Sequence, residues 1–381
     1  MKKKVLVFTG SRADYGILKN LIIKLKKNFI VEICAGGNHF TSKFGMTYKE
    51  ILKDNNYIKY KSLQRPSGFD NYALLKFMSK SLLEYSQFVK ISKTDLVIVL
   101  GDRYEAFIFT IACFFLEKKI VHIHGGELTH GAFDDCLRHS ISKLSNFHFV
   151  SHIKYMKRLI QLGEDKKNIF VTGALGAENF YKCKKLNKND IIKKYKLNKN
   201  NKIALVTFHP ETRSKISTKE QIKIFLNSLI KKKNLNYLIT YNNSDTNADY
   251  FIKKIKTFSK GKKNTIKLVK SLGAKMYFSI LKNADIIIGN SSSGILEAPS
   301  ARIPTLNIGN RQSGRVFAKS IFQCDLKTSQ IAKKIDFILS KKKIIFSNPY
   351  YKKDTSTIML EHCKKIVRNK NMIFKKFNDI I

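Results

Sequence analysis
Short apolar runs alternate with longer stretches in which apolar positions recur every three or four residues, and this alternation is the first structural signal in the 381-residue chain. A run too short for a helix and bounded by turn residues reads as a buried strand, whereas a 3.6-residue period reads as a helix with one face inward. Val5–Thr9 predicts a strand, Tyr15–Lys27 the helix after it, and Val31–Ala35 a second strand. Tyr72–Ser92 predicts a helix before the strand Leu96–Leu100, and Glu105–Leu116 another before Ile120–Ile123. Phe147–Val150 and Ile169–Thr172 complete a first half. The scheme then repeats, with strands at Ile203–Phe208, Tyr237–Thr240, Thr265–Leu268, Ile286–Ile288 and Thr305–Ile308, and helices at Lys219–Lys231 and Ala274–Lys282. Such alternation predicts an α/β fold with parallel sheets, one Rossmann-like unit per half. The polar, lysine-rich stretch Tyr181–Asn201 marks the boundary, giving domains over 1–180 and 181–354. An amphipathic segment at Thr355–Lys370, within 355–381, is expected to return to the first domain.

Composition supports an ordinary globular protein more than anything the charge suggests. With 43% hydrophobic residues, 27 Phe and 16 Tyr, the chain can build sizeable cores. No apolar run approaches the roughly 20 residues of a membrane span, and Val5–Phe8 in MKKKVLVFTGSR is too short for a signal-peptide core. Six cysteines without CxxC spacing read as free thiols of a reducing, cytoplasmic compartment, with neither disulfides nor a metal site. The net charge of +44 invites a nucleic-acid or membrane partner, yet only ten of the 72 basic residues are arginine. Nucleic-acid readers favour arginine for forked contacts to bases and phosphates. Lysines scattered among Asn and Ile, as in Lys182–Lys202, are those of a solvated surface, so neither specific nucleic-acid binding nor membrane insertion is expected.

In open α/β sheets, ligands bind beyond the carboxyl ends of the strands, and the polar clusters of this chain follow its strands. Gly10-Ser11-Arg12-Ala13-Asp14-Tyr15-Gly16 is not the GxGxxG of dinucleotide sites, so no nicotinamide cofactor is indicated. It offers either an anion site with the Arg12 guanidinium or a helix cap beside a surface arginine. Gly101-Asp102-Arg103-Tyr104-Glu105 can supply acid–base and anion-binding groups, or a structural Asp–Arg pair. His122-Ile123-His124-Gly125-Gly126-Glu127 puts two histidines on one strand face. Metal ligation is possible on residue type, but the glycines favour close approach of a ligand. Asp134 and Arg138, four apart, share a helix face. In the second half His209-Pro210-Glu211-Thr212 and the polar turn Asn242–Asp249 follow strands. Gly289-Asn290-Ser291-Ser292-Ser293-Gly294 sets hydroxyls and N–H groups at a helix start, a phosphate nest unless it is a plain serine cap. Glu297, one turn on, could accept ribose hydroxyls. Arg311 and Arg315 make four of the ten arginines, with Arg12 and Arg103, that lie just past strand ends.

TGSRADYG, LGDRYE, HIHGGE, DDCLRHSISK, LIQLGE, GALGAEN, FHPET, GNSSSGILEAPS and NIGNRQSGR, in this order over nearly the whole chain, resemble the hydrolysing UDP-N-acetylglucosamine 2-epimerases of sialic-acid biosynthesis. The resemblance implies two Rossmann-like domains facing across a cleft, as in GT-B glycosyltransferases, and no cofactor. It implies elimination of UDP to a 2-acetamidoglucal, then hydration to N-acetylmannosamine. A related donor, a 2,4-diacetamido-trideoxy sugar nucleotide of the legionaminic acid route, fits the same motifs, and a glycosyltransferase is the further enzymatic alternative. By motif match, Asp102, His124, Glu127, Asp134, Arg138 and His209 form the catalytic set. Arg12, Asp14, His39, Arg103, Asn243, Ser291, Ser292, Ser293, Gly294, Glu297 and Arg311 bind substrate or UDP. Relatives carry a Glu where this chain has His124, so either His124 takes over that role or Asp102 and Glu127 share it. A homodimer or homotetramer is implied.

Overall fold
The computed structural model describes residues 2–42, 45–54, 56–62, 71–130, 133–211, 214–230, 234–240, 248–259, 266–269, 272–369 and 375–379. The chain divides into two compact units, one of Met1–Glu127, Phe133–Asn179 and Tyr350–Ile381, the other of Leu128–Ala132 and Phe180–Pro349.

The first unit is built on β1 (Lys4–Thr9), β2 (Ile30–Ala35), β3 (Ile58–Lys61), β4 (Leu96–Leu100), β5 (Ile120–Ile123), β6 (Phe147–Val150) and β7 (Ile169–Val171). They form a parallel sheet in the order β3-β2-β1-β4-β5-β6-β7. Its helices are α1 (Arg12–Leu25), α2 (Tyr48–Lys53), α3 (Asn71–Ile91), α4 (Tyr104–Phe115), α5 (Asp134–Leu144) and α6 (Ile153–Gln161), and the division between units falls within α7 (Leu175–Lys182). The central strands β1 and β4 are apolar nearly throughout because each is covered by helices on both faces. One face meets Leu18, Leu21 and Leu25 of α1; the other meets Phe88, Phe109 and Cys113 of α3 and α4.

The second unit has β8 (Lys202–Thr207), β9 (Leu235–Thr240), β10 (Ile266–Val269), β11 (Ile286–Gly289), β12 (Thr305–Ile308) and β13 (Ile321–Cys324), parallel in the order β10-β9-β8-β11-β12-β13. Its helices are α8 (Lys188–Tyr195), α9 (Thr218–Ile230), α10 (Ala248–Ser259), α11 (Gly273–Asn283), α12 (Ser293–Leu296), α13 (Ala298–Ala301) and α14 (Thr328–Ser340). In both sheets the strand order reverses beside the first strand of the unit. The loops after β1 and β4, and after β8 and β11, therefore open the crevice in which doubly wound folds bind ligands. Strands β3 and β13 were not legible in the sequence. Both are four-residue edge strands, and in β3 Lys59 and Lys61 alternate with the inward residues, so a strand looks like loop in a lysine-rich chain.

The last helix, α15 (Thr355–Arg368), belongs to the first unit. Its entry residue Asp354 is left-handed and makes no side-chain cap. The buried Glu178 of α7 does that work instead, accepting from Ser356 N at 2.9 Å and from Ser356 Oγ at 3.1 Å. Met359, Leu360, Cys363 and Ile366 then enter the core with Leu18, Leu21 and Ile22 of α1. Among the described residues no helix is long and apolar enough to cross a membrane. Because Met359 is fully buried, Met359→Ala should lower stability by about 2–5 kcal/mol. Denaturant unfolding of the two proteins measures this; a loss under about 1 kcal/mol would mean that α15 is only loosely packed.

Candidate active site
In the first unit the β1 turn begins with Ser11, the N-cap of α1, whose hydroxyl accepts from Asp14 N at 3.3 Å. Arg12 reaches Glu50 of α2 at 2.7 Å, while Arg103 forks onto the buried Glu105 with contacts of 3.1 and 3.0 Å. Glu105 occupies the space beside Gly37, where an added Cβ would lie 2.8 Å from its carboxylate, so only glycine fits this left-handed position. Asp14 feels Arg103, Glu105 and Asp102. Desolvation raises its carboxyl to about 6, against the opposing pull of Arg103 and the Ser11 hydroxyl. His39 stands apart from a ligand-binding role. It is fully buried, with Nε2 on Thr9 Oγ1 at 2.9 Å and Nδ1 on Thr47 Oγ1 at 3.0 Å. Burial pushes its pKa down to about 4, so it is a neutral strut with no ring nitrogen left for substrate.

The densest cluster lies after β4 and β5. Arg138, on the inner face of α5, is 3% exposed. Its Nη2 donates to Asp102 Oδ2, its Nη1 donates to the His124 carbonyl at 2.9 Å, and Glu127 Oε2 lies 4.0 Å from Nη1. Burying a guanidinium demands such partners, so this one side chain ties the β4 loop to the β5 loop. Asp102 keeps 20% side-chain exposure. Glu127 is buried, its Oε1 accepting from Ser151 Oγ at 2.7 Å and from His124 Nδ1 at 2.6 Å. His124 Nε2 is buried without a hydrogen-bond partner. Of the two histidines of HIHGGE only the first lies within the strand. His124 follows the end of β5 with a left-handed φ of +68°. His122 stays inside the sheet, Nε2 donating to Gly101 O at 2.8 Å and Nδ1 at 2.9 Å from Ser142 Oγ; burial depresses its pKa. Asp134 opens α5, half-buried, one turn before Arg138. Among the described residues no three His, Cys, Asp or Glu side chains are placed to hold a metal ion.

In the second unit the organising residue is Asn290, 1% exposed, which sequence reasoning quoted but did not select. Its amide pairs with the backbone of His209, accepting from His209 N and donating to His209 O, both at 2.7 Å. Its own carbonyl accepts from Gln312 Nε2 at 2.8 Å and Arg311 Nη1 at 3.3 Å. Gly289 before it can be nothing larger, since a Cβ would come within 1.9 Å of Thr207 O. Glu211 accepts from Asn310 N at 2.7 Å and Arg311 N at 3.0 Å, fixing the β12 turn. The helix after Ser291 and Ser292 is short: α12 spans only Ser293–Leu296 before α13 starts. An anion here would meet local N–H and hydroxyl groups, with little of a helix dipole behind them. Ser293 and Glu297 are joined to each other, the Ser293 hydroxyl donating to Glu297 Oε2 and also touching Tyr277 OH, while Gly294 packs on Thr305. Arg315 is committed elsewhere, Nε donating to Leu128 O at 3.0 Å. Asn243 and Thr212 lie outside the described residues.

A family model described as UDP-N-acetylglucosamine 2-epimerase matches residues 22–364. The chain belongs to that family. It is 37% identical to a Campylobacter jejuni protein named GDP/UDP-N,N'-diacetylbacillosamine 2-epimerase (hydrolyzing), over 85% of each chain. It is 36% identical to the Escherichia coli polysialic acid biosynthesis protein P7, over 99% of this chain and 98% of that one. The fold matches that of S. aureus MnaA, solved with UDP, at TM-score 0.79 and 20% identity over the full length of both chains. As a member of this 2-epimerase family the chain is an enzyme, a hydrolysing UDP-sugar 2-epimerase in kind. Sequence motifs found the turns of this epimerase, and two of them contain Asn290 and Glu211, but nothing in them singled out these residues or Ser151, whose partners are distant in the chain.

The raised carboxyl of Asp14 has a measurable consequence. A carboxyl whose folded value of about 6 exceeds the ordinary 3.8 favours the folded state while protonated. That stabilisation is full below pH 4 and is lost as pH rises through 6. Unfolding midpoints of the wild type should therefore fall, relative to Asp14→Asn, across that window; parallel curves would contradict the assignment.

Proposed function
We propose that the first unit carries out the sugar chemistry and the second grips UDP, in a hydrolytic 2-epimerisation of a UDP-linked 2-acetamido sugar. The observation that carries this reading is the Arg138 cluster, which gathers Asp102, His124 and Glu127 at adjoining strand ends. Elimination of UDP breaks the C1–O bond, its electron pair leaving with the diphosphate while C2 loses a proton and a C1=C2 bond forms. Hydration then adds hydroxide to C1 and a proton to C2 on the opposite face, giving the epimeric free sugar. Such a sequence requires acid–base groups beside C2 and positive or hydrogen-bonding groups at the diphosphate. Asp102, His124, Glu127, Asp134 and Arg138 supply the first requirement. Ser291, Ser292, His209 and Arg311 supply the second, with Arg12 able to exchange its exposed partner Glu50 for a phosphate oxygen. Ser293 and Glu297 act as a joined pair at the nucleoside end.

UDP-N-acetylglucosamine is the donor we favour, giving N-acetylmannosamine for sialic-acid synthesis. The likeness to the polysialic acid protein over nearly the full length of both chains supports it. A UDP-2,4-diacetamido-2,4,6-trideoxy sugar is the second reading, supported by the name of the Campylobacter jejuni relative. Incubation with each donor alone, with no acceptor, is the deciding experiment. Free UDP and the 2-epimeric sugar are expected from UDP-N-acetylglucosamine at the higher kcat/KM; preference for the diacetamido donor would reverse the choice, and a strict need for an acceptor sugar would replace hydrolysis by glycosyl transfer.

Single substitutions should separate the two requirements. Asp102→Asn should lower kcat by roughly 10²–10⁴-fold while UDP affinity stays near wild type. Arg311→Ala should weaken UDP binding by about 10–100-fold through loss of a charged hydrogen bond. Calorimetric titration with UDP beside steady-state kinetics reads both, and near-normal turnover of Asp102→Asn would remove that residue from the chemistry.

A further inference from the structure
We infer that His124 Nε2 is the base that takes the C2 proton, and that Glu127 and Ser151 are positioning residues that hold the imidazole for this task. The inference rests on the epimerase reading above and narrows it to one atom.

The tautomer follows from the hydrogen bonds. Glu127 Oε1 accepts from the Ser151 hydroxyl at 2.7 Å and lies 2.6 Å from His124 Nδ1. A carboxylate can only accept, so Nδ1 carries the hydrogen and Nε2 of the neutral ring carries the lone pair. That nitrogen is buried and has no partner. Buried polar atoms are seldom left unsatisfied without a functional reason. The neighbouring histidines give the contrast: His39 and His122 each use both ring nitrogens. His148 also leaves one nitrogen without a partner, but it lies in mid-strand in β6, shut off from any surface, whereas His124 follows a strand end. The backbone of His124 is left-handed, at φ +68°, and the Arg138 guanidinium on its carbonyl holds that turn in place. Glu127 is itself a poor candidate for the base, because its Oε1 already accepts two hydrogens and its Oε2 lies 4.0 Å from the Arg138 guanidinium.

In the elimination, the C2–H electron pair becomes the C1=C2 bond as the C1–O pair departs with UDP, and the proton goes to Nε2. The imidazolium so formed lies against Glu127, as in a His–carboxylate pair where the acid stabilises the charge without taking the proton. It returns its proton to solvent during hydration. Among the described residues, the charged and titratable groups set against His124 are Glu127 on its ring, His122 of β5 within electrostatic reach, and Arg138 of α5 on its carbonyl. Asp102 acts through Arg138, and Arg158 of α6 through Glu127.

The test compares wild type, His124→Asn and Glu127→Gln on the better donor, with UDP affinity and thermal midpoint as fold controls. Asparagine tolerates the left-handed backbone. His124→Asn should lower kcat by roughly 10²–10⁴-fold with UDP affinity kept. Glu127→Gln preserves the acceptor but removes the charge, so the acidic limb of the kcat–pH profile should move down by about one unit. A merely structural Glu127 would not shift that limb. His124→Asn within threefold of wild type, or an unshifted limb in Glu127→Gln, overturns the inference. Should His124→Asn also lose UDP binding, the Glu127→Gln limb decides alone. A wild type that releases UDP from neither donor sinks the functional reading and this inference with it.

Discussion
Much of the first unit's reactive end depends on burying one positive charge. Arg138 is almost wholly removed from water, and its guanidinium is accommodated because a carboxylate of the β4 loop and a carbonyl of the β5 loop are brought to it. A buried ion pair adds little net stability, but breaking it by removing one partner is costly. Its effect is therefore on geometry: the loops cannot drift without stranding a charge. Asp102 is thereby fixed with part of its surface open, and the strained turn at His124 is held by its own carbonyl.

The second unit reaches the same end around a neutral amide. Asn290 uses its side chain on the backbone of His209 and its carbonyl on Arg311 and Gln312. Glu211, two residues after His209, holds the N–H groups of the β12 turn. Three loops are thus stitched together at the carboxyl ends of β8, β11 and β12. Turns held this way present preorganised local donors whatever the length of α12 behind them.

Most strands were legible because a parallel strand buried on both faces is apolar nearly throughout, as in Leu96–Leu100 and Ile286–Gly289. The edge strands β3 and β13 escaped because they are short and break the apolar run with exposed polar residues, Lys59 and Lys61 in β3 and Gln323 in β13. At the site, motifs marked the turns but could not assign partners. Arg138 and Asp102 are 36 positions apart, and Asn290 and His209 are 81 apart; nothing local announces either pairing. The same limit explains His39, which reads as a ligand residue by motif but is sealed between two threonines.

The arginines make the sharpest revision. Four of them past strand ends suggested forked grips on substrate phosphate. Arg103 does fork, but onto Glu105; Arg315 donates to a carbonyl; Arg12 pairs with Glu50; Arg311 alone combines a backbone anchor with a guanidinium at the Asn290 turn. A planar guanidinium serves buried, directional contacts that a lysine ammonium, more strongly hydrated and without a fork, serves poorly. A chain that has become lysine-rich over its solvated surface therefore keeps arginine where geometry is at stake. At Arg103, Arg138 and Arg315 that geometry is internal: they hold neighbouring turns of the chain in place.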